Sequence, residues 1–170
     1  MLRRNQRGSA VVEAALLAPW IFFLFVGILD SGFYTYSAIA TQNAARAVAI
    51  QNANAGGTVT TAASCQAAKN ELALLTNVVG MGTCAATQAA VSDSTPIWVC
   101  VGILNDTASA PCVPPAVACA DCTGSGASAI TPAKSVQAVV TYRSVPLVPI
   151  PGILPVQLQL TRIAEARVIE

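Results

Sequence analysis

The sequence contains no histidine. That removes Ser-His-Asp and Cys-His nucleophilic arrangements, and every histidine-ligated zinc site, in one stroke. Charge is nearly as scarce: aspartate, glutamate, lysine and arginine together make up 10% of the 170 residues, against about 25% in ordinary soluble domains. Beyond Asp30 the charged groups are scattered, and no two carboxylates stand at a spacing that points to acid–base work. The net charge is +1, and there is no basic patch to neutralise a run of phosphates, so no nucleic-acid partner is expected. These absences argue against an enzyme and give no ligand set for a metal or a cofactor.

What the chain has instead is apolar surface, 54% of its residues, and much of it falls in one stretch. No charge lies between Glu13 and Asp30. A helix of about 20 residues spans a bilayer core, and Ser9 to Leu29 has that length if Glu13 is tolerated. The leader, Met1 to Arg7, holds three arginines and no acid. Positive charge is retained on the cytoplasmic side, which puts the N-terminus inside and everything after Leu29 outside. The rival for this stretch is an ordinary secretory signal, with an apolar core of about 7–15 residues and a small-residue cleavage site soon after. Here the run is longer, and Ser37-Ala38-Ile39-Ala40 lies too far along to serve.

Pro19 sits inside the run as a kink or a soft point. Gly27 and Ser31 form a small-xxx-small pair of the kind that lets helices approach closely. Tyr34 and Tyr36 fit an interfacial aromatic belt. From Ser37 to Ala55 the chain is rich in alanine, the strongest helix former, and Gly56-Gly57 stops it. One helix over 9–55 is predicted, near 70 Å long at 1.5 Å per residue.

The remainder, 56–170, reads as a small head. Ala62 to Thr76 is predicted as a helix with Cys65, Ala68, Leu72 and Leu75 on one face, and Gly80 and Gly82 are expected to end it. Ile97 to Ile103 reads as a buried strand, and Val136 to Arg143 as a half-buried one. Val156 to Val168 alternates as a third strand, with a phase break at Arg162-Ile163 that predicts a bulge. The last two strands are expected to pair antiparallel, which makes the head α+β. All six cysteines lie here: Cys65, Cys84, Cys100, Cys112, Cys119 and Cys122. An even number in an exported domain reads as a disulfide framework of unspecified pairing. The rival reading takes Cys119-Ala-Asp-Cys122 as a metal knuckle or a redox pair.

Leader, glycine, four residues, glutamate and a long apolar helix resemble the class III signal of type IV prepilins. The run Gly8-Ser9-Ala10-Val11-Val12-Glu13-Ala14-Ala15-Leu16, then Pro19, Gly27-Ile28-Leu29-Asp30-Ser31-Gly32 and Asn43-Ala44-Ala45-Arg46, resembles the TadE-like pseudopilins of tight-adherence pilus systems. Two positions depart from that pattern: Ala14 stands where an aromatic residue is usual, and Asp30 where a glutamate is usual. The resemblance implies that 1–8 is a leader removed by a prepilin peptidase between Gly8 and Ser9. It implies residence in the cytoplasmic membrane beside other pilin or pseudopilin subunits and a pilus assembly platform, and a role in initiating or assembling the pilus. A structural subunit of the filament is one alternative, and a membrane-anchored extracytoplasmic binding module is another. Cleavage would leave a charged amine on Ser9 one helical turn from Glu13. That makes Glu13 either half of an ion pair within or between chains, or an interfacial bystander.

Overall fold

The computed structural model describes residues 7–57, 60–75, 77–104, 112, 134–145 and 157–168, the first four by their backbone alone. Cys119 and Cys122 lie outside the described residues, as do 1–6 and the proline-rich stretch 146–156. The elements are α1 (Arg7–Asn54), α2 (Thr61–Glu71), a 3-10 turn (Gln88–Ala90), β1 (Ile97–Leu104), β2 (Ser135–Arg143) and β3 (Gln159–Arg167).

The upper half of α1 carries a stripe of small buried residues at i, i+3 and i+4 spacing: Ala40, Ala44, Ala45, Val48, Ala49 and Ala53. Such a stripe is the core-facing side of an amphipathic helix, and its alanines let the helix lie close against the sheet. The polar residues within it are satisfied locally, which removes the cost of burying them. Ser37 Oγ donates to the Phe33 carbonyl at 2.8 Å and Thr41 Oγ1 to the Ser37 carbonyl at 2.7 Å. Asn52 Nδ2 donates to the Val48 carbonyl at 2.8 Å and to Ser64 Oγ at 3.0 Å, tying α1 to α2. The helix ends where the sequence places its stop. Gly56 and Gly57 take φ of 67° and 80°, a left-handed pair that only glycine adopts at little cost. Their N–H groups close on the carbonyls of Ala53 and Asn52 at 3.2 and 3.1 Å.

The sheet runs in the order β1-β2-β3, antiparallel throughout. The register sets Val99 opposite Val140 and Tyr142 opposite Leu160. Successive side chains alternate faces, so Ile97, Val99, Ala138, Val140, Tyr142 and Leu160 share the side that packs on α1 and α2. Trp98, Cys100, Val139, Thr141 and Ile163 share the other.

Three features differ from the sequence reading. The second helix ends at Glu71, not Thr76, because Leu72 caps it with φ −95° and ψ 6°. A staircase of i→i+3 turns follows: Leu75 N–H bonds to the Leu72 carbonyl, Val78 to Leu75 and Met81 to Val78, at 2.9, 3.0 and 3.1 Å. Residues three apart are eclipsed in such turns, so Leu72, Leu75, Val78 and Met81 all reach the core. The apolar spacing survives although the α-helix does not. Second, β3 has no bulge: its register with β2 is unbroken from Gln159 to Arg167. What changes at Arg162-Ile163 is chemistry, not phase. Arg162 is half-buried on the inner face, and Ile163 turns outward, 43% exposed. Third, Gly80 and Gly82 do not end the second helix but lie well beyond it, Gly80 with φ 79°.

Among the described residues, two disulfides fasten the head. Cys65–Cys84 joins α2 to the segment before β1, where Ala85 bridges Trp98 on the sheet edge. Cys100–Cys112 leaves from the outer face of β1. A polar cluster closes the open end of the sheet: Arg143 pairs with Asp93 at 3.4 Å and bonds to Gln157 Oε1, and Gln157 Nε2 donates to Asp93 at 2.8 Å.

Among the described residues the largest fully buried side chain is Tyr142. Its hydroxyl donates to Asn77 Oδ1 at 2.7 Å, and Asn77 Nδ2 donates to the Arg143 carbonyl at 2.9 Å. Burial pushes the Tyr142 phenol up to about 12 from an ordinary 10.0. A phenol that ionises later in the folded state contributes stability that is complete below the unfolded value and is lost as pH rises through the folded one. Chemical denaturation midpoints are therefore expected to fall between pH 10 and 12, at no more than about 1.4 kcal/mol per pH unit from this group. Tyr142→Phe should flatten that alkaline slope while costing about 1 kcal/mol at neutral pH, because Asn77 loses its donor.

Candidate assembly site on the N-terminal helix

Val11 to Leu29 adds no buried residue to the core. Twelve large apolar side chains in this span, among them Leu16, Trp20, Phe22, Leu24, Phe25 and Ile28, are each more than half exposed. They occupy every side of the helix, which is the pattern of a segment surrounded by apolar material. Burying one such side chain is worth about 1.5–3 kcal/mol, so this surface in water represents on the order of 20–30 kcal/mol. The net stability of a folded domain is about 5–15 kcal/mol. The comparison decides the matter: this half of α1 needs lipid or other helices around it. Its most apolar stretch has a mean hydropathy of 2.2, and it fits a single-pass membrane anchor.

The candidate residues fall along this half. Gly8 and Ser9 lie in the first turn of α1, and Glu13 is exposed one turn further on. Positions 9 and 13 are four apart and lie on one face. The helix continues unbroken through Pro19. A Cβ added at Gly27 or Gly32 would meet nothing within 4 Å. The fold of the single chain therefore does not require glycine at either position. Asp30 closes the uncharged run; its Oδ2 is covered and takes no hydrogen bond among the described residues. Tyr34 and Tyr36 follow, 42% and 44% exposed.

The cysteines separate into two groups. Cys65, Cys84, Cys100 and Cys112 are structural, and among the described residues no three histidine, cysteine or acidic side chains gather to hold a metal ion. The sequence reading missed a groove of about 330 Å³ between α1 and α2, with Ala47, Gln51 and Ala63 in its walls and Glu71 among its lining residues. No local signal in the sequence marks it, because its walls come from two helices brought together by the fold.

Residues 8–49 match the family model described as TadE-like protein. No curated protein and no solved structure matches the chain. The matched segment begins at Gly8, includes Glu13, Pro19 and Asp30, and runs on through Asn43-Ala44-Ala45-Arg46 into the core-facing stripe. The similarity to TadE-like proteins thus lies along α1.

Proposed function

We propose that the protein is a minor pilin or pseudopilin that acts in the initiation or assembly of a tight-adherence pilus. A prepilin peptidase removes residues 1–8. The mature chain sits in the cytoplasmic membrane with Ser9 at the inner boundary and the disulfide-linked head outside. It performs no catalysis; it is a substrate of one enzyme and a partner of other pilins and of the assembly platform. The observation that carries this reading is the division of one continuous helix, family-matched over 8–49: its lower half has its apolar side chains exposed on every side, while its upper half is the spine of the head.

Within this reading Glu13 sets the height of neighbouring helices. The Ser9 amine and the Glu13 carboxylate are each costly in lipid when unpaired. Paired between chains, they neutralise one another and attract strongly only at short range in a low dielectric. One experiment tests both parts. N-terminal sequencing of membrane-extracted protein should find a mature start at Ser9, and Gly8→Leu should leave the precursor uncut. Glu13→Gln should be cut as wild type but show about tenfold less crosslinking to pilin subunits, equivalent to about 1.4 kcal/mol. A mature start near Ala40 would mean a secretory signal and sink the pilin reading. Normal assembly of Glu13→Gln would leave Glu13 a bystander.

A further inference from the structure

The groove between α1 and α2 is a recess in the head that the fold leaves open. Its small lining residues are Ala47, Ala63 and Ala67, and its polar ones are Gln51, Gln66, Asn70 and Glu71. Gln66 Nε2 donates to Asn70 Oδ1 at 2.9 Å, which leaves the Gln66 carbonyl oxygen to accept. Glu71 is exposed and makes no ion pair among the described residues. A recess lined by a carboxylate, side-chain amides and small alanines suits a planar guanidinium, which donates five hydrogen bonds and accepts none.

One such group is available on α1. Arg46 is the only charged residue between Asp30 and the end of the helix at Asn54. It is exposed and has no ion-pair partner among the described residues. It is not among the residues that line its own groove, and Ala47 and Gln51 lie about 100° and 140° away around the helix. Arg46 and the groove are thus complementary surfaces on different flanks of one molecule. Copies held in one membrane by their apolar halves stand side by side in the same direction. Gln51 stands about 7.5 Å further along α1 than Arg46, so a stagger of at most about one and a half helical turns brings Arg46 of one chain level with the groove of the next.

We propose that the α1–α2 groove, with Glu71 at its edge, receives Arg46 of a second copy of this chain standing parallel beside it. The contact is head-to-tail, so it repeats from copy to copy instead of closing a two-fold pair. It rests on the reading above only in that the copies share one membrane.

The test is a charge swap in the full chain in membranes. A photo-crosslinking residue at exposed Ala73, beside the groove, reports head contacts; a second at exposed Leu24 reports association of the apolar halves. Arg46→Glu and Glu71→Arg should each lower capture of a second copy at Ala73 by about three- to tenfold, the range that replacing an exposed attraction by a repulsion gives. The double variant should restore it. Arg46 and Glu71 are both exposed, so neither change unfolds the head, and Leu24 capture should stay at the wild-type level. Single losses without rescue in the double variant would mean that Arg46 and Glu71 meet other partners, and would overturn the proposal. Unchanged Ala73 capture in both single variants would overturn it equally. Absence of capture at Leu24 in the wild type would instead count against the shared-membrane reading, and the proposal would fall with it.

Discussion

Opening the disulfides is expected to lower the unfolding free energy of the head by about 6 kcal/mol, about 3 kcal/mol for each loop on a chain-entropy account. The loops span 19 and 12 residues, and loop-closure entropy rises only slowly with length, so the two links count about equally. Against a domain stability of about 5–15 kcal/mol, the loss takes the head to the edge of unfolding. The core explains why: much of its helix-facing side is alanine, which buries little area per residue. Denaturant midpoints of the detergent-solubilised chain, with and without reductant, measure the sum. The pairs Cys65→Ser/Cys84→Ser and Cys100→Ser/Cys112→Ser apportion it. A shift under about 1 kcal/mol for both pairs would show that packing alone closes these loops and that the entropic account fails here.

The second large effect belongs to the staircase after α2. Leu72→Ala and Leu75→Ala should each cost about 2–5 kcal/mol, the range for emptying a buried leucine site. Leu74→Ala should stay within about 0.5 kcal/mol. Leu72 and Leu75 are 0% and 1% exposed, while Leu74 between them is 82% exposed. The contrast reads which side of the segment faces the core. An α-helix continued to Thr76 would keep Leu72 and Leu75 on the core side as well, so the discriminating residue is the next step, Val78. It is 3% exposed and hydrogen-bonded to the Leu75 carbonyl at 3.0 Å. Val78→Ala should therefore also destabilise, while Val79→Ala, at a position 73% exposed, should not. Equal costs at Leu72 and Leu74 would contradict the turn register.

The long helix and its glycine stop were legible because they depend on local chemistry: alanine propensity, an uncharged run and a left-handed pair at Gly56-Gly57. The strands were legible where one face is apolar, as in Ile97 to Ile103. The bulge was misread because alternation was taken from side-chain chemistry, and an edge strand is free to place Arg162 inward and Ile163 outward while its backbone pairing with β2 continues. The helix over Ala62 to Thr76 was overextended because a period of three and a period of 3.6 are nearly the same over a few residues. Disulfide pairing was not legible: Cys65 and Cys84 meet only because the staircase returns the chain to α2, a three-dimensional outcome with no local signal.

At the candidate site, Gly8, Ser9 and Glu13 were singled out by the basic leader, the apolar helix and the family resemblance taken together, and the structure adds only that they stand on the first turns of α1. The groove was not legible. It exists only once Gly56-Gly57 folds α2 back along α1, so that Gln51 of one helix and Glu71 of the other border a single recess.

The two cross-links also set how far the head can be drawn out under load. A chain pulled from its anchored helix lengthens by at most about 3.3–3.6 Å for each residue released. The stretches closed by Cys65–Cys84 and Cys100–Cys112, 19 and 12 residues apart in sequence, are withheld from that extension, which removes about 100 Å of slack. Tension on the chain is then carried through sulfur–sulfur bonds around those stretches, and a head that begins to give way stays short instead of extending to its full length.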